Sequence, residues 1–120
     1  MHELALVISA THGEQDAEVI TPERLSAMLD TGNVFVFDCN EPEIYAEAHV
    51  PGAVLIVYDE VNGTNLPKDH GATLVFYCYS PECPAGTNAS KTALQLGFTH
   101  VYSMLAGITG WQDAKLRTEP

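Results

Sequence analysis

The chain predicts an α/β fold, a mostly parallel central sheet flanked by helices on both faces. Two observations carry this. Short apolar runs of the kind buried on both sides in a parallel sheet recur at Asn33–Asp38, Val54–Val57, Thr73–Tyr77 and His100–Met104. Segments of helical character stand between most of them, so strand and helix alternate along the chain. With 120 residues there is room for one domain and one core.

The elements follow in order. Residues 1–16 are mixed and polar after a short apolar run, Leu4 to Ala10, and are expected to be an N-terminal tail or edge segment, with the domain occupying 17–120. Thr21-Pro22-Glu23 offers a capping hydroxyl, a proline at the first helical position and an acid in the first turn. Leu25 and Leu29 follow one turn apart, predicting a helix that ends near Thr31-Gly32. Asn33–Asp38 is short and rich in β-branched and aromatic side chains, which favours strand. Glu41–Glu47 reads as a short helix opened by Pro42, and His49-Val50-Pro51-Gly52-Ala53 as a turn into the next strand. Asp59–Ala72 holds Asn62-Gly63, Pro67 and His70-Gly71 and reads as connector with room for one helical turn. Thr73–Tyr77 is the third strand and runs directly into Cys78. A helix over Thr87–Leu96, closed by Gly97, a strand over His100–Met104 and a final helix over Ile108–Leu116 complete the chain.

Charge and composition exclude several classes of function. Sixteen acidic residues against five basic ones give a net charge of −11, which opposes nucleic acid and anionic membranes as partners. No run is long enough for a transmembrane helix, and Leu4–Ala10 lacks the basic flank of a signal peptide. Three cysteines, Cys39, Cys78 and Cys83, are too few for a disulfide scaffold and leave at least one free thiol, so a reduced, cytoplasmic compartment is expected. No cofactor is expected, and no metal: the Cys-x4-Cys spacing without a neighbouring histidine pattern is weak as a metal site.

Cys78 is the candidate reactive centre. In open parallel sheets, ligands bind beyond the carboxyl ends of the strands, where loops face the N-termini of the following helices. Cys78 stands at that place. The eight residues after it, Tyr79-Ser80-Pro81-Glu82-Cys83-Pro84-Ala85-Gly86, are rich in turn formers. Backbone N–H groups turned inward, together with the positive end of a helix, stabilise a thiolate and any anion bound to it. An inert cysteine closing a core strand fits the same spacing, which leaves both open.

The sequence from about Val19 onward resembles a single rhodanese-like domain. The residues carrying the resemblance are Asp38 at a strand end, Ala48-His49-Val50-Pro51-Gly52-Ala53, Val75-Phe76-Tyr77-Cys78, Leu96-Gly97-Phe98 and Ala106-Gly107-Ile108-Thr109-Gly110-Trp111. The resemblance implies sulfur transfer: the Cys78 thiolate attacks a sulfane donor, becomes a persulfide, and hands that sulfur to a nucleophilic acceptor. It also implies substrate contacts from Tyr79, Ser80, Glu82, Cys83, Ala85 and Gly86.

Departures from the family pattern adjust this expectation. Tyr79 and Ala85-Gly86 stand where arginines are common, Asn40 replaces another, and the loop holds no cation. Arginine is suited to clamping a dianion through paired hydrogen bonds. Its absence points to a small persulfide or a persulfide-carrying protein as donor rather than to efficient use of thiosulfate, with a thiol or a protein as acceptor. The loop reads as longer than the usual six-residue type. Phosphatase chemistry on this scaffold needs a loop arginine and is not expected.

Cys83 offers an alternative, a thiol–disulfide redox module in which it resolves an oxidised or persulfidated Cys78, against simple packing beneath the loop. A third possibility is a non-catalytic rhodanese-fold interaction domain. Asp38 is expected to support the loop or cap the next helix, Cys39 to be a buried small hydrophobe, His49 to be structural, and Trp111 to anchor the last helix. Glu82, the loop's one charge, opposes ionisation of Cys78 and either faces solvent or meets a cationic acceptor protein.

Overall fold

The computed structural model describes residues 16–120. The expected N-terminal tail or edge segment therefore lies outside the described residues, apart from its last position. The elements are β1 (Glu18–Val19), α1 (Pro22–Thr31), β2 (Phe35–Asp38), α2 (Pro42–Glu47), β3 (Val54–Leu55), β4 (Thr73–Tyr77), α3 (Ala85–Gln95), β5 (His100–Met104) and α4 (Gly107–Asp113). The five strands form one sheet in the order β1-β5-β4-β2-β3, and every pairing is parallel. Among the described residues no helix is long and apolar enough to cross a membrane.

The central strand β4 explains both layers. Alternate side chains of a strand point to opposite faces. Leu74 and Phe76 join Phe37, Ala89, Ala93 and Phe98 under α3, while Val75 and Tyr77 join Leu25, Val36, Ile108 and Trp111 under α1 and α4. Both sides are dry, which is why Thr73–Tyr77 reads as a continuous apolar run rather than an alternating one. Cys78 continues the Leu74 and Phe76 face and is buried with it.

Helix α1 matches its sequence signals closely. The Thr21 hydroxyl accepts the Arg24 N–H at 3.2 Å, Pro22 opens the helix, and Gly32 ends it at φ 76°. Elsewhere the boundaries shift for identifiable reasons. β1 is absent from the sequence expectation because two residues carry too little pattern; it exists because Glu18 and Val19 pair with Tyr102 and Ser103 on β5. β3 is half its expected length, an edge strand paired only through Val54 and Leu55. Asp59–Ala72 has no helical turn; Asn62 and Asn65 side chains cross-link it instead, with Thr64 N–H donating to Asn62 Oδ1 at 2.8 Å and Asn62 N–H to Asn65 Oδ1 at 2.9 Å.

The most consequential shift concerns α3. It begins at Ala85, not Thr87, so the segment between Cys78 and the helix is six residues long, Tyr79–Pro84, rather than eight. Gly86 reads as a turn former in sequence. Here its missing side chain lets the first helical turn lie against β4: a Cβ at Gly86 would stand 3.0 Å from the backbone of Tyr77.

Candidate functional site

Cys78 lies one residue past the end of β4, at the carboxyl edge of the sheet and next to its middle strands. Three neighbouring segments fix the chain around it. The first is the turn after β2, where the Cys39 N–H donates to the Tyr77 carbonyl at 2.8 Å. The second is the start of α4, where the N–H groups of Ile108 and Thr109 donate to the carbonyls of Cys78 and Tyr79, each at 3.0 Å. Gly107, at φ 69°, permits this approach, since a Cβ there would stand 2.5 Å from the Tyr79 carbonyl. The third is the first turn of α3 against Tyr77.

Within the loop, the Cys83 N–H donates to the Ser80 carbonyl at 3.0 Å, closing a turn through Pro81 and Glu82. The Ser80 hydroxyl donates to a Glu82 carboxylate oxygen at 3.0 Å. The turn carries Cys83 back over the strand end, and the sulfurs of Cys78 and Cys83 are joined in a disulfide with Cα atoms 6.1 Å apart. That spacing lies inside the range a disulfide can bridge.

Helix α3 has no side-chain cap: its N-cap is Pro84, and the N–H groups of Ala85, Gly86 and Thr87 have no hydrogen-bond acceptor among the described residues. These donors and the helix dipole are available to an anion in the loop. The predicted contact residues divide accordingly. Tyr79 and Glu82 are exposed and Ser80 is partly so. Ala85 and Gly86 are buried in the helix's first turn, where each can present only its N–H.

At the end of β2, Asp38 is fully buried and ties two segments together. Its carboxylate accepts the Asn40 N–H at 2.8 Å and the Tyr77 hydroxyl at 2.6 Å, and the Tyr77 oxygen in turn accepts the Val50 N–H at 3.0 Å. It caps no helix, as α2 has Glu41 at its N-cap position with no side-chain bond. Burial raises the Asp38 carboxyl above the usual range, opposed chiefly by the Tyr77 hydroxyl, then by the N–H and amide of Asn40 and by His49. Nothing in the sequence pairs Tyr77 with Asp38 or Val50, and this tyrosine escaped notice as a supporting residue because it reads as one more apolar position of a buried strand.

Asn40, two residues past the end of β2, approaches Cys78. Its Oδ1 lies 3.8 Å from Cys78 Sγ, and its buried Nδ2 has no hydrogen-bond partner among the described residues.

Cys39 is a free, buried thiol whose ionisation burial and the Asp38 charge push up to about 12. Its burial in the core is as expected. His49 is buried away from any role beside the sulfur: its ring stacks on Tyr45 at 3.8 Å, its Nδ1 lies 2.8 Å from the Tyr45 carbonyl oxygen, and its backbone pairs with Glu119. Trp111 is buried under the sheet and donates from Nε1 to the Arg117 carbonyl at 2.8 Å.

The model of the rhodanese-like domain family matches residues 21–114. The chain belongs to the rhodanese-like domain family. Curated relatives of this rhodanese-like domain include the thiosulfate sulfurtransferase GlpE of Pseudoalteromonas translucida, 28% identical over 87 residues that cover 72% of this chain and 81% of the relative. Among solved structures, the BH2092 protein of Bacillus halodurans superposes with a TM-score of 0.75 at 28% identity, covering 86% of this chain and 77% of that one. The human single-domain sulfurtransferase TSTD1 shares the fold, with a TM-score of 0.70 at 22% identity over 81% of this chain and 96% of its own.

Proposed function

We propose that this rhodanese-like domain is a sulfurtransferase whose Cys78 thiolate takes a sulfane sulfur as a persulfide and passes it to a thiol or protein acceptor. The observation that carries the reading is the position of Cys78 at the end of the central strand, beside an uncapped helix whose first N–H groups are free to hold an anionic sulfur. Two curated relatives are named thiosulfate sulfurtransferase, which supports sulfur transfer as the class of reaction.

The donor is a persulfide, small or protein-borne, rather than thiosulfate. No lysine or arginine lies between Cys78 and Thr87, and the chain's net charge of −11 repels a dianion. The neutral N–H donors at the start of α3 suit the single charge of a persulfide group. In the test, reduced wild-type and Cys83→Ser proteins are each treated with glutathione persulfide and with thiosulfate, then weighed by mass spectrometry. Cys83→Ser gains the mass of one sulfur from the persulfide, cyanide removes it, and Cys78→Ser gains nothing. No gain in Cys83→Ser with any sulfane donor sinks the proposal.

The Cys78–Cys83 disulfide favours a second reading, a thiol–disulfide redox module. Peptide mapping after mild oxidation decides it, since a free Cys83 beside a modified Cys78 rules out the pairing.

A further inference from the structure

We propose that Cys83 is a resolving thiol for a persulfide on Cys78, so that the domain also releases hydrosulfide from sulfane sulfur and is left as the disulfide. This rests on the persulfide reading above and adds a second outcome for the same sulfur. The juxtaposition that carries it is a second cysteine, five positions along the chain, whose sulfur reaches Cys78 Sγ with the loop in its native path.

Nothing has to move far for the two to meet. The turn closed by the Cys83 N–H and the Ser80 carbonyl sets the return path, and Pro81 narrows the alternatives. On the other side, the carbonyls of Cys78 and Tyr79 are held by α4, and Cys83 itself packs against the core cluster that contains Cys78. The attacking thiol is thus tethered beside its target, whereas an external acceptor must diffuse to a buried sulfur.

The Cys83 thiolate donates an electron pair to Cys78 Sγ, forming the Sγ–Sγ bond. The bond from Cys78 Sγ to the outer sulfur breaks, and that sulfur leaves with the pair and the persulfide's proton as hydrosulfide. The transferred sulfur is reduced to sulfide and the two cysteines are oxidised to a disulfide. A dithiol reductant restores both thiols, so the full cycle consumes one sulfane sulfur and one dithiol.

The experiment is a single turnover in the absence of thiols. Reduced wild-type and Cys83→Ser proteins are loaded with glutathione persulfide under anaerobic conditions, desalted at once, and followed for hydrosulfide and for protein mass. Wild type is expected to release about one equivalent of hydrosulfide and to finish two hydrogens lighter than the reduced protein, with Cys78 and Cys83 in one cross-linked peptide. Cys83→Ser is expected to keep its sulfur at least about ten times longer, as loss of a tethered nucleophile requires. A wild-type persulfide that persists like that of Cys83→Ser, or equal hydrosulfide from both, overturns the resolving role and leaves the sulfurtransferase reading intact. If neither protein gains sulfur or releases hydrosulfide, the persulfide reading itself fails.

Discussion

Gly107→Ala tests how the loop carrying Cys78 is held. Gly107 has φ 69°, and an added Cβ would lie 2.5 Å from both the carbonyl carbon and oxygen of Tyr79 and 2.6 Å from the Ser80 nitrogen. A left-handed conformation costs an alanine about 1–2 kcal/mol. Crowding a packed backbone adds roughly 1–3 kcal/mol, since no side chain can rotate aside. A stiffer unfolded chain offsets about 0.4–1 kcal/mol. The expected loss is therefore roughly 2–4 kcal/mol, a large part of the about 5–15 kcal/mol that holds a typical domain together. Urea denaturation reads it as a fall in midpoint of about 1–2 M, given slopes of roughly 1–3 kcal/mol per molar. The relief of strain moves Tyr79 and Ser80 away from α4 and loosens the bonds from Ile108 and Thr109, so alkylation of Cys78 in the reduced protein changes rate as well. An unchanged midpoint together with an unchanged alkylation rate would show that α4 does not set the shape of the loop.

Two further outcomes follow from buried groups. Burial raises the Asp38 carboxyl, so the native state binds its proton more tightly than the unfolded chain does. Its contribution to stability is whole below the unfolded value of 3.8 and is lost as pH rises through the raised native one. In urea midpoints from pH 3 to 8, the stability of wild type relative to Asp38→Asn should fall with rising pH, and a rising difference contradicts the assignment. Cys39, with its ionisation near 12, carries about one thiolate in ten thousand at pH 8. Iodoacetamide applied to the reduced native protein should therefore label Cys78 and Cys83 and reach Cys39 only after unfolding; labelling of Cys39 in the folded state would show that the pocket around it opens.

Where a property depends on a residue and its near neighbours, it is legible in the sequence. Thr73–Tyr77 had to be a buried strand because five bulky residues without a polar break suit a sheet covered on both faces. The bounds of α1 were written in Thr21, Pro22 and Gly32, since caps act over one turn. Cys78 stood out for the same local reason, a thiol between such a strand and a helix, and the missing loop cations are a plain reading of residue types.

Long-range contacts decided the rest. β1 is a strand only because β5 lies beside it, and two residues have no pattern of their own. The true start of α3 depends on Gly86 meeting Tyr77, which turned a presumed eight-residue loop into one of six. The supports of the site, Tyr77 on Asp38, Asn40 against Cys78, and the α4 N–H groups on the loop carbonyls, join residues about 30 to 40 positions apart, a separation at which single-sequence patterns carry no pairing information. The sequence could say that Cys83 is five residues from Cys78. Whether its sulfur turns toward Cys78 or beneath the loop depends on the Ser80–Cys83 turn and on the helices that fix both ends of it, and that is a property of the folded chain.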